Sequence, residues 1–126
     1  MAFRRIYLHL LRNKLLTVTF RPRNMIVDSF RSYSVGDRIK AKVLKNVGAD
    51  WAKIPPKFID DSGFPILITD ITVKRVGDFT SADFEGSSPD VKDKKGLVYH
   101  LGLIYNLSVD ELTDDTIVTK IKFEYL

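Results

Sequence analysis

The sequence predicts an α+β fold: a small, partly closed mixed β-barrel with helices packed at its side. Three observations lead there. Strand-like segments occupy both ends and the middle of the chain, without the regular strand–helix alternation of a parallel α/β protein. The composition is 44% hydrophobic and 29% charged, an ordinary globular balance that excludes a disordered or fibrous chain. No apolar run approaches the roughly 18 residues of a membrane span, and none of the 126 residues is a cysteine. Disulfides, a thiolate nucleophile and a Cys-held zinc are thereby excluded, so the core must carry the fold. The length suits one domain over residues 1–126, with a loop insertion at about 46–63.

In residues 1–12, Phe3, Tyr7, Leu10 and Leu11 recur at helical spacing, with Arg4, Arg5 and Arg12 between them. This predicts a short amphipathic helix. A targeting segment is the weaker reading, because His9 interrupts the apolar stretch and no small-residue cleavage pattern follows. Residues 16–21 are β-branched and apolar and are halted by Pro22. As a strand they put Leu16, Val18 and Phe20 on one face and Thr17, Thr19 and Arg21 on the other. The turn Val35-Gly36-Asp37-Arg38 launches a strand over 39–43, with Lys40 and Lys42 facing outward. Residues 46–63, with Gly48, Pro55, Pro56 and Gly63, read as a surface excursion. A long strand over 64–76 follows, bent or bulged near Thr69-Asp70.

Thr80 and Asp83 have the spacing of a capping box, which predicts a short helix from Thr80 to near Gly86. Ser88-Pro89 has the form of an N-cap and first turn. The helix expected there carries Leu97, Leu101, Ile104 and Tyr105 on one face and ends at Asn106. The last strand, 116–125, is expected to carry Ile117, Thr119, Ile121, Phe123 and Tyr125 on one face and Lys120, Lys122 and Glu124 on the other.

Charge is distributed unevenly. Residues 1–60 balance to +9 and residues 61–126 to −5, within a net charge of +4. An excess of this size in one half fits either an anionic partner or neutralisation between halves. The sequence has no GxxxxGK[ST] phosphate loop, no GxGxxG, no HExxH and no GxSxG elbow. His9 and His100 fall in separate predicted helices with no ligand cluster, and both read as packed or half-exposed histidines rather than metal ligands. Asp60-Asp61, Asp110-Glu111 and Asp114-Asp115 read as solvated turns.

The basic surroundings of the second segment are left as the chemical feature. Lys14, Arg21, Arg23 and Arg31 suit phosphate oxygens, and the Thr17 and Thr19 hydroxyls can add hydrogen bonds. Lys40 and Lys42 share an outer strand face. Trp51 and Lys53 put an aromatic and a cation in the irregular loop, a mixture suited to unpaired bases.

The order of these segments resembles the ASCH domain family of the PUA-like superfamily. The residues that carry the likeness are Lys14-x-x-Thr17-x-Thr19-x-Arg21, then Val35-Gly36-Asp37-Arg38-Ile39. Ile68-Thr69-Asp70-Ile71-Thr72-Val73 leads into Gly77-Asp78-Phe79-Thr80-Ser81-Ala82-Asp83, and residues 118–124 close the pattern. The likeness spans nearly the whole chain outside 46–63, and order carries it more than any single motif. It implies a PUA-like β-barrel with flanking helices and a cleft that meets RNA. Some members of the family are acetylcytidine amidohydrolases or ribonucleases. Carried over, the hydrolase threonine is Thr19 and its glutamate Glu85, but its lysine position is Leu16, which has no basic or nucleophilic group. Lys14 is the nearest substitute, on the same strand face.

Two functions therefore stand open. One is an RNA- or nucleic-acid-binding module with a basic cleft formed by Lys14, Thr17, Thr19, Arg21, Arg23, Arg31, Lys40, Lys42, Trp51 and Lys53. The other is a small hydrolase on the same scaffold that uses Lys14, Thr19 and Glu85. Neither requires a metal or cofactor. The expected partner is RNA or another nucleic acid and not a membrane, for a cytoplasmic monomer or weak homodimer.

Overall fold

In a computed structural model, residues 1–24, 33–45, 57–59, 63–105 and 112–126 are described. Five strands form one sheet: β1 (Ala2–Phe3), β2 (Val18–Pro22), β3 (Arg38–Val43), β4 (Phe64–Arg75) and β5 (Ile117–Tyr125). Their spatial order is β1-β3-β4-β5-β2. The β1–β3 pair is parallel, and the other pairs are antiparallel. Two α-helices, α1 (Leu8–Arg12) and α2 (Lys94–Tyr105), accompany the sheet, with short 3-10 turns at Arg5–Tyr7, Val76–Asp78 and Ser81–Phe84. The α+β class holds. The sheet is open: β1 and β2 are its two edges, and no backbone pairing joins them among the described residues.

The sheet has a core on each face. On one, Val18, Phe20 and Val118 pack with Phe79, Phe84, Val91, Leu97 and Leu101, so α2 and the turns before it cover that side. Phe20 meets Phe79 edge-on at 5.7 Å and Phe84 at 5.4 Å. On the other face, Phe3, Tyr7, Leu10, Leu11 and Leu16 pack with Ala41, Val43, Ile66 and Phe123. Because β5 lies between β4 and β2 with cover on both sides, its residues from Val118 to Ile121 are all buried.

The long strand 64–76 is β4, and its register shifts between Ile68 and Asp70, the position expected for the bulge. Gly36 takes φ +92 in the turn before β3, where a side chain would be strained. The Thr80–Asp83 capping box is present at the head of the 3-10 turn Ser81–Phe84.

Four expectations need correction. Residues 1–12 do not form one helix. Ala2 and Phe3 are extended and extend the sheet beyond β3, with the Lys42 and Leu44 N–H groups donating to the Met1 and Phe3 carbonyls at 2.8 Å each. Second, Ser88-Pro89 does not start a helix. Ser88 is buried, and α2 starts at Lys94 behind Asp93, whose Oδ1 accepts the Gly96 N–H at 2.7 Å as an N-cap does. Third, β2 begins at Val18, and Leu16, expected on the face of Val18 and Phe20, packs in the other core with Tyr7 and Phe123. Fourth, the 46–63 excursion is not wholly irregular. Phe58 bridges to Leu44, and Ile59 N–H donates to the Val43 carbonyl at 3.0 Å. Residues 46–56 and 60–62, and the side chains of Ile104 and Tyr105, lie outside the described residues.

Candidate functional site

Register fixes which candidate side chains share a face. Thr19 pairs with Ile121 and Arg21 with Thr119, and across β5 these pair with Ile71 and Val73. Thr17, Thr19 and Arg21 thus lie on the Ile121 side of β2, opposite Val18 and Phe20. Thr17 and Thr19 are half-buried. The Gly86 carbonyl accepts both the Thr17 N–H (2.9 Å) and the Val18 N–H (3.2 Å), which brings the Glu85–Gly86 turn against the start of β2. Gly86 takes φ +81, and a Cβ there would run into Thr17 Oγ1, so the approach needs glycine. Glu85 itself is exposed.

Arg21 points across the open seam. Its Nη2 donates to the Ala2 carbonyl at 2.8 Å, and its guanidinium lies 5.3 Å from the centre of the Phe3 ring. It therefore ties one sheet edge to the other. Lys14, in the turn that closes α1, and Arg23, just past β2, are exposed. They are the two non-glycine residues of positive φ among those described, at +56 and +67. Backbone bonds hold both, Lys14 N–H to the Leu11 carbonyl (3.1 Å) and Arg23 N–H to the Ile117 carbonyl (2.9 Å).

Lys40 and Lys42 are not on this face. Ile39 and Ala41 share the side of Ile66 and Phe123, so the two lysines point from the opposite side, on a strand separated from β2 by β4 and β5. Lys42 Nζ lies 5.5 Å from the centre of the Phe58 ring. Arg31, Trp51 and Lys53 lie outside the described residues.

The sequence reading missed a polar cluster formed by Tyr7, Ser88, Asp90 and His100. Tyr7 Oη donates to Asp90 Oδ2 at 2.6 Å and lies 3.1 Å from His100 Nδ1. Ser88 is buried beside Tyr7 and Asp90, and its hydroxyl favours the charged form of each. Burial, with Asp90 beside it, pushes the Tyr7 hydroxyl up to about 12. Burial pushes His100 down to about 4, opposed by Asp90 and assisted by Arg21 and Arg4. Burial would raise the Asp90 carboxyl, but the Ser88 and Tyr7 hydroxyls outweigh it and hold it below its ordinary value. Partners 83 and 93 residues apart leave no local signal, and Tyr7 reads in sequence as one more apolar-face residue.

A second cluster centres on Asp83, which receives Lys74 at 3.1 Å, Lys120 at 3.1 Å and the Thr80 N–H at 2.8 Å. Burial alone would raise its carboxyl, and the Thr80 N–H and the two lysines bring it down to about 2. Among the described residues no group of three or more His, Asp or Glu is placed to hold a metal ion. None of their helices is long and apolar enough to cross a membrane.

No family model matches the sequence, and no curated protein matches it significantly. Solved structures do. The hypothetical protein PH0355 is 13% identical with a TM-score of 0.57, over 100% of this chain and 96% of that one. Protein EF3133 of Enterococcus faecalis V583, of the DUF984 family, is 13% identical with a TM-score of 0.52, over 94% and 68%. An ASCH domain from Lactobacillus crispatus JV V101 is 8% identical with a TM-score of 0.50, over 95% and 70%. The chain has an ASCH-like fold.

Proposed function

We propose that the chain is an ASCH-like RNA-binding module, its curved sheet a PUA-like barrel left open at the β1–β2 seam. RNA would run along β2, with Lys14 and Arg23 on phosphates and the half-buried Thr17 and Thr19 as hydrogen-bonding groups between them. The observation that carries this is a pair of exposed cations in left-handed backbone on either side of β2, Lys14 in the turn that closes α1 and Arg23 next to Pro22. Left-handed backbone costs a non-glycine residue roughly 1 kcal/mol. At Lys14 it closes α1, where the Lys14 and Leu15 N–H groups donate to the Leu11 and Leu10 carbonyls, and at Arg23 it follows the strand directly. Arg21 is committed to Ala2 and Phe3 and contributes its field more than its hydrogen bonds.

The test is titration of a fluorescent single-stranded RNA at several salt concentrations. Lys14→Ala/Arg23→Ala should weaken binding roughly tenfold near ~0.1 M salt and lower the salt slope by about 1.4, for two lost phosphate contacts. An unchanged affinity and slope would sink the proposal.

A hydrolase is the second reading, favoured by the Gly86 carbonyl bonds that bring Glu85 beside the strand of Thr17 and Thr19. It would use Lys14, Thr19 and Glu85. Turnover of an N-acylated cytidine or of RNA, abolished by Glu85→Gln, would support it. Its absence in the unaltered chain removes it.

A further inference from the structure

Tyr7 has a single hydroxyl proton, and the 2.6 Å bond to a carboxylate oxygen takes it. The Tyr7 oxygen must then accept from His100, so the imidazole proton sits on Nδ1. His100 Nε2 is left with a lone pair and has no hydrogen-bond partner among the described residues. The ring stays neutral near pH 7.

Arg4 also lies against Tyr7. It is half-buried, and its guanidinium carbon is 6.0 Å from the centre of the Tyr7 ring. It has neither an ion pair nor a side-chain hydrogen bond among the described residues. Its charge is permanent and its five N–H groups suit oxyanions. Asp90, the carboxylate of the cluster, is engaged by Tyr7 and Ser88 and does not pair with Arg4. A guanidinium and a neutral acceptor therefore both lie against one tyrosine.

In a nucleic acid, a phosphate and a hydroxyl donor occur side by side only where the sugar is ribose, because the 2′-hydroxyl is what DNA lacks. We propose that Arg4 and His100 form a ribose-phosphate subsite, in which Arg4 takes a phosphate oxygen and His100 Nε2 accepts the 2′-hydroxyl of the same strand. Tyr7 is a positioning residue that fixes the imidazole tautomer. This rests on the RNA-binding reading and names the feature of RNA that is read.

Binding of sequence-matched single-stranded RNA and DNA is compared by fluorescence anisotropy. The unaltered chain should prefer RNA by about tenfold, the worth of one good hydrogen bond to a buried partner. His100→Ala should bring the ratio near one. Tyr7→Phe, which keeps the buried ring, should lower it, and Arg4→Ala should weaken RNA and DNA alike and reduce the salt slope by about 0.7. Because His100→Ala can lose its fold, the intact chain gives a second readout by NMR: RNA should shift the His100 ring protons, and DNA should leave them in place. Equal binding of RNA and DNA, or a ratio that His100→Ala leaves intact, overturns the subsite while RNA binding along β2 stands. Binding of neither polymer overturns both.

Discussion

Asp83 gathers Lys74, Lys120 and the Thr80 N–H on one carboxylate, with Lys120 only 8% exposed. Removing it would leave a buried ammonium without its counter-ion, which costs more than the pair contributes. Asp83→Ala should therefore lower stability by about 3–5 kcal/mol in urea. Replacing Asp83 and Lys120 together by apolar residues should recover most of that. A loss in Asp83→Ala below about 1 kcal/mol would mean that Lys120 is solvated after all. The carboxyl lies at about 2 against its ordinary 3.8, so its contribution is complete above pH 3.8 and disappears as pH falls toward 2. Half of this arrangement was legible. Thr80 and Asp83 are three apart, and a capping box is a local pattern. The burial of Lys120 was not legible, because strand alternation sorts residues by face and no local pattern reveals that β5 is covered on both.

At the scale of elements, the Tyr7–Asp90–His100 hydrogen bonds fasten the N-terminal segment to α2. His100 folds with its affinity for protons reduced from 6.5 to about 4, so the unfolded chain binds more protons between those values. Stability should be full above pH 6.5 and fall as pH drops to 4, by up to about 3 kcal/mol. The depressed Asp90 carboxyl adds loss in the same direction at still lower pH. Melting temperature followed from pH 7.5 to 4 should show the slope, and His100→Gln should flatten it. A slope that survives in the variant would assign it to other groups. Elements that sequence foretold well were those set by local chemistry, such as β4 with its bulge at Thr69. Those it missed were set by distant partners. Ala2–Phe3 are extended because β3 offers an edge, and the helix starts behind Asp93, with Ser88 buried near Tyr7 and Asp90.

Across the whole molecule, the described cations of the +9 half do not share one sheet face. Lys40 and Lys42 face away from Thr19, and Arg21 is spent on the seam between the edge strands. Composition records how many cations a segment holds, while the faces they occupy depend on strand order, which sequence does not state. The position of Thr17, Thr19 and Arg21 on one strand face was readable from alternation alone, but the bond from Arg21 to Ala2 was not, because it joins the first and last strands in spatial order. If that bond holds the sheet's curvature, Arg21→Met should cost about 2–3 kcal/mol, combining a charged hydrogen bond with a cation–π contact. The loss should also be local. Hydrogen exchange should quicken at the Lys42 and Leu44 amides, which donate to Met1 and Phe3, and stay slow at the Arg21 amide paired with β5. Arg21→Lys should not restore it, since an ammonium cannot both reach a carbonyl as a fork does and stack on a ring. A uniform rise in exchange over all five strands would instead make Arg21 one contributor among many to global stability, with the curvature set by packing of the two cores.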